Sequence, residues 1–393
     1  MTDAVVVGRI LREYHQRSID PADVRQVHGS VRGDRVAYRL RRPDGAFVVV
    51  RALRADAAVG PEFSACGPAT MVDWLSSRAA TLTWLAERDY PAPRVVPTRS
   101  GDLVGLAGAW LTLATTFVAG PALRPDRSQL RMLGEALGWL HSLPVAADGA
   151  SAGSSGSAGS VRPAGSAGSV RPVGSAGPVG ESHWHPDAAI PAALRRLDSV
   201  EALLPAEWRP LHESFRRAVE AVRQHVRDLP RAVVHEDAGP GKAILGGGDP
   251  ARVTLIGWDT GGLGLPVLDL GHCLLECHLD TGLPPGQPET WPSQPGDERI
   301  AAVAEGYATQ RPLGPAELDV LPDSVRFGTA FTRAILFEQA LLGGVRGTSM
   351  DARLERLATR LAVSEAVADR AAHHLTGARK RYAEPGRPEA AGA

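Results

Sequence analysis

The sequence has few cysteines, few aromatic residues and almost no net charge. Three cysteines occur in 393 residues, and the formal net charge is −1 at pH 7. Three cysteines do not make a disulfide framework. The chain has no excess of basic residues and no electrostatic field of a single sign. It therefore lacks the usual attraction to nucleic acid or to a membrane surface. We therefore expect neither nucleic acid nor membrane among its partners.

Long apolar runs are missing too. No run reaches the ~20 residues that a membrane-spanning helix needs, and the first residues lack the basic and apolar regions of a signal peptide. A cytoplasmic protein is therefore expected. Apolar residues still make up 44% of the chain, which is enough to bury a sizeable core. The length of 393 residues suits one bilobal enzyme or two ordinary domains.

The first third of the chain has the pattern of a small β-rich lobe. Residues 24–54 alternate apolar and polar side chains on both sides of a Pro-Asp-Gly turn, which is a hairpin signal. Residues 68–88 have apolar positions at helical spacing, and 102–119 return to strand patterns. These patterns predict an N-lobe over residues 1–120 with one long helix, followed by a linker helix over 121–144.

The remainder divides at a segment of low complexity. Residues 145–182 are rich in Gly, Ser and Ala and repeat Gly-Ser-Val-Arg-Pro. Such a composition cannot bury enough apolar surface to offset the entropy of ordering, so a flexible insert is expected. Helical periodicity over residues 183–383 predicts a helical C-lobe, and residues 384–393 are expected to be a disordered tail.

Two short motifs carry the chemistry. The first is Val-Val-His-Glu-Asp-Ala-Gly-Pro-Gly-Lys at 233–242, and the second is Leu-Ile-Gly-Trp-Asp-Thr at 255–260, followed by Val-Leu-Asp-Leu at 267–270. Together they resemble the core of the aminoglycoside phosphotransferase and choline kinase family, which has His-Gly-Asp-x-x-x-x-Asn and then Ile-Asp-Trp or Ile-Asp-Phe. The resemblance implies an α+β, bilobal, protein-kinase-like fold with a small β-rich N-lobe and a helical C-lobe.

The resemblance also implies roles in the first motif and just after the second. Asp237 corresponds to the catalytic base that accepts the proton of the acceptor hydroxyl during ATP-dependent transfer. His235 is expected to hold this loop through a backbone hydrogen bond, and Asp269 to brace it. The alternative for Asp237 is a loop carboxylate that only caps a neighbouring helix.

The family's metal ligands are replaced in this chain. Lys242 stands at the Asn position, and Gly257 stands at the Asp position of the second motif. Mg²⁺ prefers oxygen ligands, usually including carboxylates, and neither residue supplies a carboxylate or amide side chain. Asp259 is a candidate for a shifted ligand, because alternate residues of an extended segment point the same way. Mg²⁺ as a cofactor is therefore doubtful.

ATP is the nucleotide that the resemblance implies. Gly29, Ser30 and Gly33 lie where the family's phosphate-covering loop would lie, although an ordinary hairpin turn fits these residues equally well. Arg51 stands at the family's strand lysine, and a guanidinium can bind phosphate with two hydrogen bonds. Lys242 could neutralise phosphate charge where the metal no longer can.

The helix after the third strand departs from the family as well. Its glutamate normally pairs with the strand lysine, but the alignment puts Arg78 at that position, opposite Arg51. Two facing cations are expected to repel each other.

Three functions follow from these substitutions. The preferred one is a pseudokinase-like binding or regulatory subunit in a biosynthetic pathway, acting on a ligand or a protein partner. The first alternative is an active phosphotransferase that uses Asp237 on a hydroxyl of a small molecule or peptide. The second is a kinase fold redirected to other chemistry in a multi-protein complex. Metal neutralisation supplies several kcal/mol in phosphoryl transfer, which is the reason for the preference.

Overall fold

The protein is described from a computed structural model, which covers Tyr14 and residues 24–29, 35–42, 44–55, 71–145, 179, 182, 185–246, 252–278, 296–342 and 350–383. Most of the insert predicted over 145–182, the tail predicted over 384–393, and both Ser30 and Gly33 lie outside the described residues.

A six-stranded antiparallel sheet forms the N-terminal region. Its strands are β1 Val24–Gly29, β2 Arg35–Arg41, β3 Phe47–Arg54, β4 Val95–Val96, β5 Gly105–Ala107 and β6 Trp110–Thr116. They pair in the order β1-β2-β3-β6-β4, and β5 also pairs with β6. The predicted hairpin is β2–β3, and Gly45 in its turn has a φ of 82°, a conformation that glycine adopts without steric cost.

One long helix, α1 (Met71–Ala86), packs on this sheet. Its apolar positions recur three and four residues apart, and Trp74, Leu75 and Ala79 are buried together with Leu111 and Leu113 of β6. Each fully buried leucine contributes roughly 1.5–3 kcal/mol relative to an exposed one. This packing also directs other side chains of the helix towards the space between the two lobes.

Helices make up most of the rest of the described chain. They are α2 Arg127–Ser142, α3 Pro186–Glu201, α4 Arg209–His225, α5 Pro266–Glu276, α6 Asp297–Gln310, α7 Pro315–Leu342 and α8 Met350–Ala383. Two short antiparallel pairs carry the motif loops. In one, β7 (Ala232–Val234) pairs with β10 (Gly262–Gly264), and in the other β8 (Ala243–Leu245) pairs with β9 (Val253–Leu255). Short 3₁₀ turns cover Ala206–Trp208, Val226–Asp228 and Pro240–Lys242.

Helix α2 connects the two regions and packs closely on α6. Asp126 caps its start by accepting a hydrogen bond from the Gln129 N–H. Glycines let the two helix backbones approach, since a Cβ added at Gly306 would overlap the Arg131 carbonyl oxygen. This close contact brings His141 and Tyr307 together in the core.

The expected fold class is confirmed. A small antiparallel-sheet region precedes a mostly helical remainder, as the sequence pattern and the family resemblance predict. Within the described part of the chain, no helix combines the length and apolarity needed to cross a bilayer.

Candidate active site

The first motif forms a loop between β7 and the 3₁₀ turn Pro240–Lys242. The loop is held by Asp269, at the start of α5, which accepts hydrogen bonds from two consecutive backbone N–H groups. The His235 N–H lies 2.6 Å from Oδ2 and the Glu236 N–H 2.9 Å from Oδ1. These contacts provide the bracing that the resemblance implies for Asp269.

Asp269 is fully buried, so its charge needs several partners. Besides the two backbone N–H groups, its partner is His141, whose Nε2 lies 3.1 Å from Oδ2. Burial alone would raise the pKa of Asp269, but the hydrogen bonds from His141 and the His235 N–H outweigh it and hold that pKa below its usual value. The carboxylate therefore stays ionised under the loop.

The hydrogen bonds continue from Asp269 through the core. Because His141 Nε2–H donates to Asp269, its Nδ1 accepts from the Tyr307 hydroxyl, 2.9 Å away. That hydroxyl in turn accepts from Arg311 at 3.0 Å, and Arg311 also pairs with Glu317 at 2.8 Å. Burial lowers the pKa of His141, which keeps the imidazole neutral in this chain of contacts.

His235 anchors the loop with both ring nitrogens. Its Nε2–H donates to the Ile256 carbonyl at 3.0 Å, and its Nδ1 accepts from the Asp237 N–H at 3.2 Å. Burial lowers its pKa, so one neutral tautomer satisfies both contacts. These are the backbone hydrogen bonds that the resemblance implies, and any more direct catalytic role for His235 stays a prediction.

Glu236 is a site residue that the sequence reasoning missed. It has a φ of 65° and the residue is 3% exposed. A non-glycine residue in this region costs roughly 1–3 kcal/mol. The signal was present in the sequence, because the family's His-Gly-Asp has glycine at this position.

Asp237 lies between two basic side chains. Its Oδ2 is 2.7 Å from the Lys242 ammonium, and its Oδ1 is 3.9 Å from His272 Nε2. Burial would raise the pKa of Asp237, but His272 and Lys242 together hold it well below its usual range. The sequence reasoning gave His272 no part in this site.

Lys242 also fills the space beside Gly257. Gly257 has a φ of 83°, and a Cβ added there would lie 3.2 Å from Lys242 Cδ and 3.5 Å from its Nζ. The ammonium thus stands between Asp237 and the position where the family carries its second metal ligand. The two stretches are tied by a hydrogen bond from the Ile256 N–H to the Lys242 carbonyl at 2.8 Å.

Asp259 contacts Arg51, whose Nη1 donates to its carboxylate. The period-2 argument that favoured Asp259 as a shifted ligand assumed an extended segment. Strand β9 ends at Leu255, however, and the positive φ of Gly257 breaks that geometry. A metal role for Asp259 stays a prediction.

The two positions that hold the metal in the family supply no oxygen side chain for Mg²⁺ in this chain. Of the two positions that hold the metal in the family, one carries an ammonium and the other offers only backbone, while the nearby Asp237 carboxylate is already paired with that ammonium. Across the residues with described positions, no group of three or more His, Cys, Asp or Glu is arranged to hold a metal ion.

Arg51 and Arg78 both line a cavity between the lobes. The cavity measures about 30 Å³ and its lining is Arg51, Arg78, Leu82, Pro93, Leu113, Thr115, Gly257 and Trp258. Direct repulsion is reduced because Arg51 pairs with Asp259, while the Arg78 guanidinium lies 5.8 Å from the centre of the Trp74 ring. Burial lowers the pKa of Arg78 to about 10, against the opposing effect of Glu236 and Asp259.

Of the glycine-containing loop, the structure describes only Gly29, which ends β1 and pairs with Val36 of β2. The proposed roles of Gly29, Ser30 and Gly33 in covering phosphates, and those of Arg51 and Lys242 in binding them, stay predictions.

Comparison with known proteins places these features in a family. Residues 23–321 match the model of the phosphotransferase enzyme family, APH. Homoserine kinase from two strains of Caulobacter vibrioides is 41% identical over 61 residues, which are 15% of this chain and 19% of that kinase. The aligned part thus spans about a fifth of the length of these curated relatives.

Solved structures agree in fold. The amicoumacin kinase hAmiN, in complex with AMP-PNP, Ca²⁺ and Ami, superposes with a TM-score of 0.60 at 12% identity, covering 94% of each chain. A microcompartment-associated aminopropanol kinase gives a TM-score of 0.59 at 18% identity, covering 96% of this chain and 98% of that one. With the family model matching most of its length, the chain belongs to the phosphotransferase enzyme family and has that family's kinase-like fold.

Proposed function

We propose that this chain is a pseudokinase-like member of the family, which binds a phosphate-bearing small molecule between its lobes and has a binding or regulatory role. The observation that carries the proposal is the position of Lys242. Its ammonium is 2.7 Å from Asp237 and lies against Gly257.

Phosphoryl transfer depends on positioning and on neutralising the charge of the transferred group. A metal ion supplies two positive charges and coordinates oxygens of both phosphates and protein, which is worth several kcal/mol in the transition state. Lys242 supplies one charge and no coordination. It can attract a phosphate, but it cannot coordinate phosphate oxygens as a metal ion would.

The same lysine weakens Asp237 as a base. A carboxylate that is paired with an ammonium, and whose pKa lies well below its usual range, has little affinity for the acceptor's proton. Asp237 and Lys242 each satisfy the other's charge. The pair therefore disfavours proton transfer to Asp237.

Phosphate-bearing ligands suit this region because Arg51 lines the cavity between the lobes, and the partly exposed Lys242 lies beside Gly257 of the same lining. The name of the hAmiN structure includes the ATP analogue AMP-PNP, and the names of the relatives describe kinases of small molecules. We therefore propose ATP or a related nucleotide as the ligand, with Mg²⁺ unnecessary for its binding. A protein partner, a cytoplasmic location and a place in a biosynthetic pathway belong to the same proposal.

An active phosphotransferase is the second candidate, and the exposure of Asp237 favours it. The side chain of Asp237 is 42% exposed and remains accessible to an acceptor hydroxyl. If a ligand drew Lys242 away, Asp237 would be freed to act as the base on a small molecule.

One experiment separates the two candidates. ATP binding is measured by calorimetry with Mg²⁺ and with EDTA, and ADP formation is measured against small hydroxyl acceptors, including homoserine and aminopropanol. The proposal expects binding in EDTA and no transfer under either condition. Mg²⁺-dependent transfer that disappears in Asp237→Asn would establish the second candidate instead.

A further inference from the structure

Arg78 is a buried cation that the proposed function does not yet use. It lies in the middle of α1 and is 4% exposed. Among the described residues, its Nε and Nη1 atoms donate no hydrogen bond. Leaving charged donors without an acceptor is unfavourable in a buried site, so an acceptor from outside the chain would complete the surroundings of this side chain.

The cavity that Arg78 lines also contains Arg51. The remaining walls are mainly apolar and come from Leu82, Leu113 and Trp258, which would limit competition from water. A volume of about 30 Å³ exceeds the ~10–15 Å³ that one water needs but is far too small for a nucleoside. It suits one small group.

Carboxylates act on both guanidinium groups that line the cavity. The charges of Glu236 and Asp259 offset part of the effect of burial on the pKa of Arg78, which stays at about 10 and leaves the side chain protonated at neutral pH. Asp259 holds Arg51 at the edge of the cavity, where the carboxylate is partly exposed. An incoming oxyanion could therefore exchange with Asp259 at Arg51 while it satisfies Arg78.

We propose that Arg78 and Arg51 together form a metal-independent binding site for a phosphate group. The inference rests on the proposed function, since both place a phosphate-bearing ligand in this cleft, and it adds the residue that recognises the phosphate. Guanidinium groups bind phosphate oxygens with paired, charge-assisted hydrogen bonds. The helix residue that positions the strand cation in other family members is here a second ligand for the anion.

Binding of inorganic phosphate, pyrophosphate and ATP, measured by calorimetry in EDTA, tests the site. Arg78→Gln removes the charge and is expected to weaken pyrophosphate binding about tenfold or more. Arg78→Lys keeps the positive charge and is expected to weaken pyrophosphate binding by a smaller factor, because an ammonium lacks the planar fork of a guanidinium. Arg88→Gln is the matched control, since Arg88 donates to the Trp84 carbonyl outside the cavity.

The three probes also identify the source of the phosphate. Tighter binding of ATP than of pyrophosphate indicates a nucleotide, and equal binding indicates free phosphates. Either result supports the site if it depends on Arg78. The proposal is overturned if wild type binds none of the probes, or if folded Arg78→Lys and Arg78→Gln bind them as tightly as wild type. Unchanged binding in the two Arg78 variants overturns this site alone and leaves the proposed function standing, whereas a wild type that binds no probe overturns both. Mg²⁺-dependent transfer by wild type would overturn the proposed function whatever Arg78 does.

Discussion

The Lys242 ammonium lies 2.7 Å from the Asp237 carboxylate, and its side chain runs past Gly257. One lysine therefore contacts the expected base and fills the space of a missing metal ligand. The two substitutions are linked sterically as well as electrostatically, because a side chain at 257 would press against Lys242.

Restoring both positions should restore a metal site. In Lys242→Asn with Gly257→Asp, an amide and a carboxylate oxygen would face Asp237, and Asp tolerates a positive φ better than most residues. We expect Mg²⁺ to strengthen ATP binding by about tenfold in this variant, measured by calorimetry with and without Mg²⁺. Gly257→Asp alone is the control, because Lys242 still occupies the space. An unchanged Mg²⁺ response in the double variant would contradict this account of the site.

The Asp237–Lys242 pair should set the metal-free affinity for phosphates. Asp237→Asn releases the ammonium, so ATP binding in EDTA is expected to tighten severalfold. Lys242→Met removes the charge and is expected to weaken binding about tenfold. Calorimetry on both variants checks these opposite directions. If Asp237→Asn instead weakens binding, the carboxylate itself takes part in holding the ligand.

Stability should fall on mild acidification because of buried neutral histidines. Burial lowers the pKa values of His141 and His235 in the folded state, and that of His278 to about 4. A depressed folded pKa means that stability is fully present above the unfolded pKa, about 6.5, and is lost as pH falls below it. The free energy of unfolding from urea titrations is therefore expected to be lower at pH 5.5 than at pH 7.5.

A variant of His141 tests whether buried histidines cause the loss of stability at low pH. His141→Gln keeps an N–H donor for Asp269 but does not titrate, so the loss of stability between the two pH values should shrink. His225→Gln, at the exposed end of α4, should leave that loss as it is in wild type. If the His141 variant loses as much stability between the two pH values as wild type does, groups other than His141 cause the loss.

The close packing of α2 on α6 should be sensitive to one methyl group. Gly306→Ala would overlap the Arg131 carbonyl and separate the helices that hold His141 against Tyr307. We expect a loss of roughly 1–3 kcal/mol in the free energy of unfolding, measured by urea titration. Gly377→Ala in α8 has open space around the added Cβ and is expected to be neutral or to stabilise by about 1 kcal/mol. Equal effects of the two changes would argue against the steric explanation.

Local patterns in the sequence were enough to predict the β2–β3 hairpin and the loop of the first motif. The β2–β3 hairpin follows from alternation around a turn with glycine, because both features act between neighbours in the chain. The loop between β7 and the 3₁₀ turn Pro240–Lys242 follows from the first motif, because a buried apolar strand is followed there by polar residues. The replacement of both metal positions was likewise visible in the sequence alone.

Only the tertiary structure decided which charges meet. Arg51 and Asp259 are 208 positions apart, and Asp269 reaches His141 across 128. Such contacts depend on how the lobes and helices pack, which no local period encodes. The period-2 argument for Asp259 did not apply because Gly257 turns the backbone at a positive φ. The sequence determined which ionisable groups the site contains, and packing determined that Lys242 pairs with Asp237 while Arg78 is left facing a cavity, because pairing depends on distances that only the folded chain sets.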